Sequence, residues 1–312
     1  MNEFQHIPVL LNETIDGLNV RDGGIYVDLT LGRAGHASEI LKRIPNGRLI
    51  AFDQDETALQ ESRKRLEKIG DNFTLIHANF AQIKSELSVL GIEAVDGILA
   101  DLGVSSPQLD DATRGFSYKE EAPLDMRMDK TNPLTAAKVC NEYSLEKLTW
   151  VLRTYGEEKD AYKIAKEIVK FRGEKPLETT LDLVACVKAA KSAKELAKKG
   201  HPAKQTFQAI RIEVNQEEET LAQMLQDAPS LLKKEGRLAI ITFMSLDDRL
   251  VKERFRELTR VEGSRHGPMV LPDQIEKPSF GLPLKKAVAP SEEELTRNHR
   301  AASAKLRILE KQ

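Results

Sequence analysis

The sequence predicts an α/β protein built on a parallel, doubly wound sheet that is interrupted by a helical domain. Three observations carry this. Four apolar runs end near Asp28, Phe52, His77 and Ala100, about 24 residues apart, the length of a strand plus a crossover helix. The segment between the second and third runs has the pattern of an amphipathic helix, and alternation with apolar strands means a sheet covered on both faces. The rhythm then stops: the next convincing strand begins 136 residues after Asp101, and helix-period segments fill the gap.

In order along the chain, the strands are read at Ile25–Val27, Leu49–Phe52, Phe73–Ile76 and Val95–Ala100, with a helix over Glu56–Leu66. The gap holds helical patterns over Leu145–Thr154, Ala161–Phe171 and Leu181–Lys199. A further pattern, Val214–Leu232, is the helix expected to re-enter the sheet domain. Gly236 follows it, where a left-handed cap favours glycine, and a fifth strand is read at Arg237–Phe243. The stretch Pro268–Pro290, rich in Pro and Gly, suits a closing hairpin or irregular cover. The expected division is therefore 1–110 and 205–312 for the sheet domain, with 111–204 as the inserted helical domain.

Asp28-Leu29-Thr30-Leu31-Gly32-Arg33-Ala34-Gly35-His36 lies between the first strand and a helical pattern. A small-residue turn lets a ligand approach bare backbone, and a helix N-terminus presents free N–H groups. After the second strand comes Asp53, 18 residues beyond Gly35, where a carboxylate can accept both hydroxyls of a ribose. Together these describe a nucleoside-cofactor site. A dinucleotide site wants Gly-x-Gly-x-x-Gly beneath a pyrophosphate, but here the spacing is Gly32-x-x-Gly35 with Asp28 at the strand tip. An acid is a poor neighbour for pyrophosphate and a good one for the ammonium and sulfonium of S-adenosylmethionine. A methyl donor is favoured over NAD.

Ligands of such sheets bind beyond the carboxyl ends of the strands. Phe80, after the third strand, can flank an adenine ring or belong to the core, and the residues leave both open. After the fourth strand, Asp101-Leu102-Gly103-Val104-Ser105-Ser106-Pro107-Gln108-Leu109-Asp110 carries a carboxylate, two hydroxyls and an amide where the donated methyl would meet its acceptor.

Of the 312 residues, 40% are hydrophobic and 31% charged, ordinary values for a globular protein. No apolar run approaches the ~20 residues of a membrane helix. The N-terminus lacks a signal-peptide pattern, and Cys140 and Cys186 suggest neither a disulfide framework nor a zinc site. A reducing cytoplasm is the expected compartment, and no metal is expected. The net charge of −2 hides an asymmetry: Lys159–Arg211 holds 13 Lys and Arg against 6 Asp and Glu. That is either a phosphate footprint or a solvated helix face. Aromatic residues make up only 5%, so no stacking platform for long single strands is evident.

The chain resembles the MraW family nearly end to end. Matching stretches include His6-Ile7-Pro8-Val9-Leu10-Leu11-Asn12-Glu13, the loop through His36, Phe52-Asp53-Gln54-Asp55, and Asp101–Asp110 continuing into Arg114-Gly115-Phe116-Ser117. Leu124-Asp125-Met126-Arg127-Met128-Asp129, the run from His201-Pro202-Ala203-Lys204-Gln205-Thr206-Phe207 to Ile212, and Ser303-Ala304-Lys305-Leu306-Arg307 follow in order. The resemblance implies a Rossmann-like, S-adenosylmethionine-dependent methyltransferase sheet with a helical insertion. It also implies methylation of the exocyclic N4 of a cytosine in the decoding region of 16S rRNA. Carried over by position, the cofactor residues are Ala34, Gly35, His36, Asp53, Phe80, Asp101 and Gln108. Asp101 with the Ser105-Ser106-Pro107 turn is expected to frame the reacting groups. Arg114, Asp125 and Arg127 are expected to contact the substrate, Arg114 and Arg127 as phosphate or base contacts, since guanidinium pairs bidentately. The expected partner is 16S rRNA, within a small-subunit particle, with a homodimer left open. Ala34, Ala37, Ala122, Gln205, His299 and Ala302 depart from the family pattern. Gln205 and Ala302 remove positive charge from segments expected to face RNA.

Lys188, Lys191, Lys194, Lys198 and Lys199 are expected to bind RNA from the insertion. Competing readings are a DNA amino-methyltransferase, a non-catalytic RNA-binding assembly factor retaining a cofactor fold, and an NAD-dependent oxidoreductase. The first needs a Pro-Pro-aromatic motif, which Ser106-Pro107-Gln108-Leu109 lacks, and the second predicts erosion of a cofactor loop that is intact.

Overall fold

A computed structural model describes residues 8–260 and 278–312. The chain divides into two compact units, Met1–Gly103 with Glu219–Gln312, and Val104–Glu218. The second unit is wider at both ends than the expected insertion 111–204, because α5 (Ser106–Asp110) before it and α11 (Lys204–Asn215) after it belong with the helices.

The first unit begins with α1 (Leu11–Leu18), β1 (Ile25–Asp28), α2 (Gly35–Arg43), β2 (Arg48–Asp53), α3 (Glu56–Leu66), β3 (Phe73–His77), α4 (Ile83–Val89) and β4 (Val95–Asp101). The predicted strands and the Glu56–Leu66 helix lie where the periodicity put them. The second unit contains α5, α6 (Ala136–Glu142), α7 (Leu145–Thr154), α8 (Ala161–Glu174), α9 (Thr180–Ala190), α10 (Ala193–Leu196) and α11. Its core includes Val139, Leu148, Val151, Ile164, Ile168, Leu183, Val187 and Ile210, all fully buried. The helix α12 (Glu217–Asp227) leads back to β5 (Leu232–Thr242), α13 (Ser245–Leu258), β6 (Phe280–Gly281), α14 (Glu292–Arg297) and β7 (Lys305–Lys311).

The sheet order is β3-β2-β1-β4-β5-β7-β6, with β1 to β5 parallel and β7 antiparallel to both its neighbours. Alternate residues of each central strand serve opposite faces. Val27, Ile50, Ile98 and Leu238 pack with Leu87, Leu221 and Val251 on one side. Tyr26, Leu49, Leu99 and Ala239 pack with Leu18, Ile40 and Leu66 on the other. Both faces are apolar, so the strands read as continuous hydrophobic runs. Strand order reverses between β1 and β4, which places the topological switch point at Asp28 and Asp101.

Three expectations need correction. Leu181–Lys199 is not one helix: Lys191 is extended and Ser192 caps a new turn by accepting from the Glu195 N–H. Val214–Leu232 breaks at Gln216, which is left-handed (φ 51°), and again where Pro229 starts a 3-10 turn at Ala228–Leu231. Gly236 is not a helix cap but lies inside β5, where an added Cβ would stand 2.8 Å from the Lys233 carbonyl oxygen. The sheet closes on an antiparallel edge, β5-β7-β6, that no expectation named. Of the Pro268–Pro290 stretch, residues 268–277 lie outside the described residues, as do His6 and Ile7; of the remainder, Phe280–Gly281 forms β6 on β7.

Candidate cofactor and substrate sites

The order β2-β1-β4 sets Asp53, Asp28 and Asp101 at the carboxyl ends of three adjacent parallel strands. Asp28 is almost wholly buried, and one of its oxygens accepts the Thr30 N–H at 3.0 Å. The Thr30 hydroxyl accepts the Asp101 N–H at 2.6 Å, so the two strand ends are stitched through one side chain. Burial, with the charge of Asp53 adding to it, pushes the Asp28 carboxyl up to about 7. Burial and the neighbouring Asp28 push Asp101 up to about 8. Its Oδ1 is sealed from solvent with no hydrogen-bond partner, while the side chain as a whole is 26% exposed.

The loop after β1 is built by neighbouring strands. Leu29 N–H donates to the Leu99 carbonyl and Leu31 N–H to that of Phe52. Gly32 N–H donates to Asp53 Oδ2 at 2.8 Å, and Asp55 N–H donates to Asp53 Oδ1 at 2.9 Å. The Gln54 backbone also hydrogen-bonds to Asp53, and a carboxylate has about four lone-pair sites, so capacity remains for a ligand hydroxyl. Burial lifts its pKa to about 6 against these hydrogen bonds. Ala34 is left-handed (φ 56°) at the start of α2, a conformation that suits the glycine of the family pattern and strains alanine. The Gly35 requirement has a packing cause as well, since an added Cβ would run into the Pro8 ring. His36 is buried, its Nε2 lies 3.0 Å from the Val9 carbonyl oxygen, and its Nδ1 lies 3.8 Å from Asp101 Oδ2. A carbonyl only accepts, so the Nε2 bond assigns the ring proton there in the neutral tautomer. Phe80 starts a 3-10 turn after β3, half-buried and packed against the core, so both of its readings keep a surface.

Two acids at the switch point are charged only at a cost, and one carries an orphaned oxygen. That donor set fits a ligand bringing positive charge and hydrogen-bond donors, which the ammonium and sulfonium of S-adenosylmethionine supply. A pyrophosphate would add charge of the wrong sign.

In the helical unit, Ser105 and Gln108 satisfy each other at the start of α5. Ser105 Oγ accepts the Gln108 N–H at 3.4 Å and Gln108 Oε1 accepts the Ser105 N–H at 3.1 Å, with Pro107 in the first turn. Their polarity is thus at least partly local capping. Ser106 opens the helix.

The expected substrate contacts Arg114 and Arg127 have partners within their own loop. Arg114 is buried, and its Nη2 donates to the Arg127 and Met128 carbonyls, 3.0 Å each. Arg127 pairs bidentately with Asp125, Nε–Oδ1 2.9 Å and Nη2–Oδ2 2.8 Å, and its Nη1 donates to the Lys130 and Asn132 carbonyls. Burial raises the Asp125 pKa, but the Arg127 hydrogen bonds outweigh it and hold the carboxyl below its usual range. These guanidinium groups knit a loop that Asn215 also clamps, through Met126 O and Met128 N. Lys191 is buried against Glu158, and Lys198 is paired with Glu195. Of the five expected lysines, Lys188, Lys194 and Lys199 are exposed without an ion-pair partner among the described residues. Gln205 and Ala302 are exposed. Sequence reasoning missed the stacking of Tyr118 on His201, ring centroids 4.3 Å apart, because no spacing rule links residues so distant in the chain.

A family model described as the MraW methylase family matches residues 3–312. The ribosomal RNA small subunit methyltransferase H of Finegoldia magna is 50% identical over 316 residues, covering 99% of this chain and 99% of that protein. The protein of the same name from Streptococcus dysgalactiae subsp. equisimilis is 49% identical over 312 residues, covering 99% and 98%. Among solved structures, an rRNA methylase from Streptococcus thermophilus aligns over 98% of each chain with a TM-score of 0.41 and 14% identity.

Proposed function

The chain belongs to the MraW methylase family, and on that premise we propose that it methylates the exocyclic N4 of a cytosine in the decoding region of 16S rRNA. At the coarser level it is an S-adenosylmethionine-dependent rRNA methyltransferase, as its half-identical, full-length relatives are named. The observation that carries the reading is the trio of strand-end acids, Asp28, Asp53 and Asp101, with the unpartnered Asp101 Oδ1 at the switch point.

S-adenosylmethionine, when bound, supplies an electrophilic methyl group on a sulfonium. Asp53 is assigned to the ribose hydroxyls. Phe80 offers a ring for the adenine, and Ala34, Gly35 and His36 form the turn that bare backbone requires. The acceptor amine is a weak nucleophile because its lone pair is delocalised into the ring, so placement matters, and orientation alone contributes about 7–11 kcal/mol at best. Asp101 is the group at the strand end able to accept an amine N–H, and its raised pKa lets it hold a proton near neutrality. An amino group donates where uracil would offer a carbonyl, so cytosine or adenine suits an acceptor better than uracil. Ser106 stays assigned to the acceptor segment after Asp101, with Ser105 and Pro107 shaping it, and Gln108 stays assigned to the cofactor by the family resemblance. Asp125, Arg127 and Arg114 act by holding their loop.

The expected partner is 16S rRNA within a small-subunit particle, in the cytoplasm, with a homodimer as the alternative to a monomer. No helix among the described residues is long and apolar enough to cross a membrane. Calorimetry with S-adenosylmethionine and NAD separately, followed by mass spectrometry of rRNA from cells with and without the protein, tests the reading. Cofactor binding by S-adenosylmethionine and loss of a methyl group from a cytosine amine support it. Binding of NAD alone removes the methyltransferase assignment, and loss of a methyl from a different nucleoside removes the cytosine.

A further inference from the structure

In the helical unit the rings of Tyr118 and His201 lie 4.3 Å apart between centroids and 11° from parallel. Phe207, nearly buried at the start of α11, meets Tyr118 edge-on at 5.6 Å. The pair is thus anchored from the core, while both of its rings stay partly exposed. His201 Nδ1 accepts the Ala203 N–H at 3.2 Å, which assigns the ring proton to Nε2. Burial, with the Lys188 charge adding to it, holds the imidazole pKa below its usual range, so the ring is neutral at pH 7 and stacks as an uncharged heterocycle. Lys188 is close enough to act on it, and Lys119, Lys199 and Lys204 flank the two rings in sequence. All four lysines are exposed, with no ion-pair partner among the described residues.

Stacked aromatic rings left open to water beside unpaired cations combine the two elements by which single strands are held: a π-face for a base and positive charge for the backbone. We propose that the Tyr118–His201 stack is a nucleobase platform that takes one unpaired base of single-stranded RNA on its exposed side, with Lys188 holding a flanking phosphate. This rests on the reading that the substrate is RNA and deepens it by naming a contact away from the strand-end acids. Charge without the rings would bind any polyanion; rings without charge would bind bases weakly and without salt dependence. The combination requires both.

The test uses the full chain and two fluorescent probes: an oligocytidylate of about ten nucleotides, within the span of known single-strand sites, and the same backbone with abasic sugars. One stacked base is expected to make the oligocytidylate bind at least about fivefold more tightly than the abasic strand. His201→Ala should abolish that preference and His201→Phe should keep it. Lys188→Gln should weaken both probes and flatten the log–log salt slope by about 0.7. The platform is overturned if the wild-type protein does not distinguish the two strands, a comparison that needs no variant to fold, or if His201→Ala retains the preference. Binding of S-adenosylmethionine and methyl transfer to small-subunit rRNA, measured on the same wild-type preparation, judge the enzymatic reading separately. If those persist without base preference, only the platform falls.

Discussion

Lys191 Nζ donates to Glu158 Oε2 across 2.8 Å, and the two side chains are only 7% and 2% exposed. A lysine read as part of an RNA-binding face is therefore a buried structural ion. Removing one partner of such a pair strands the other charge and costs about 3–5 kcal/mol. Lys191→Ala is expected to lose about that much stability in urea denaturation, whereas Lys194→Ala, exposed and unpaired, should change it by less than about 0.5 kcal/mol. Equal effects at the two positions would show that burial does not separate them.

The strand-end acids predict opposite pH trends for stability and for cofactor affinity. Their folded pKa values, about 6 for Asp53, about 7 for Asp28 and about 8 for Asp101, lie above the ordinary carboxylate value of about 4. In that window the native state binds more protons than the unfolded chain. The contribution of these groups is therefore full below about pH 4 and is lost as pH rises through 6 to 8. A cationic ligand favours the charged forms, so S-adenosylmethionine affinity should rise over the same range, with proton release on binding near pH 7. Calorimetry in buffers of different ionisation enthalpy measures that release, and Asp101→Asn should reduce it. Affinity independent of pH from 6 to 8 would count against this assignment.

Arg127 spends its donors on Asp125, Lys130 O and Asn132 O. Lysine cannot reproduce the bidentate fork, so Arg127→Lys should destabilise the protein by about 1–3 kcal/mol. The salt slope of RNA binding should stay as in the wild type. A shallower slope at unchanged stability would return Arg127 to the phosphate-binding residues.

Much of the first unit was legible because its signals are local. The strands at residues 25, 49, 73 and 95 announce themselves by apolar runs, and Glu56–Leu66 by its helical period. The end of the sheet was harder. β7, Lys-Leu-Arg-Ile-Leu-Glu-Lys, is heavily charged, and it becomes a strand by pairing with β5 and β6, from Arg237↔Glu310 and Phe280↔Lys311. The Leu181–Lys199 helix failed for a related reason: Lys191 leaves the helical path and is held by Glu158, more than thirty residues earlier.

For the candidate sites the same division holds. The sequence by itself determined that Asp28, Asp53 and Asp101 share one edge, because parallel strands joined by crossovers all point their carboxyl ends the same way. It also determined the small-residue turn through Gly32 and Gly35 and, through its motifs, the family. Only the tertiary structure decided which charged groups are free to meet a ligand. Arg114, Arg127 and Lys191 read as cations in sequence but are held by Met128 O, Asp125 and Glu158, while Tyr118 and His201, far apart in the chain, stack face to face. Side-chain periodicity is a property of neighbours along the chain, whereas pairing and burial are set by neighbours in space. A charge is worth what lies within a few ångströms of it, and only the folded protein supplies that.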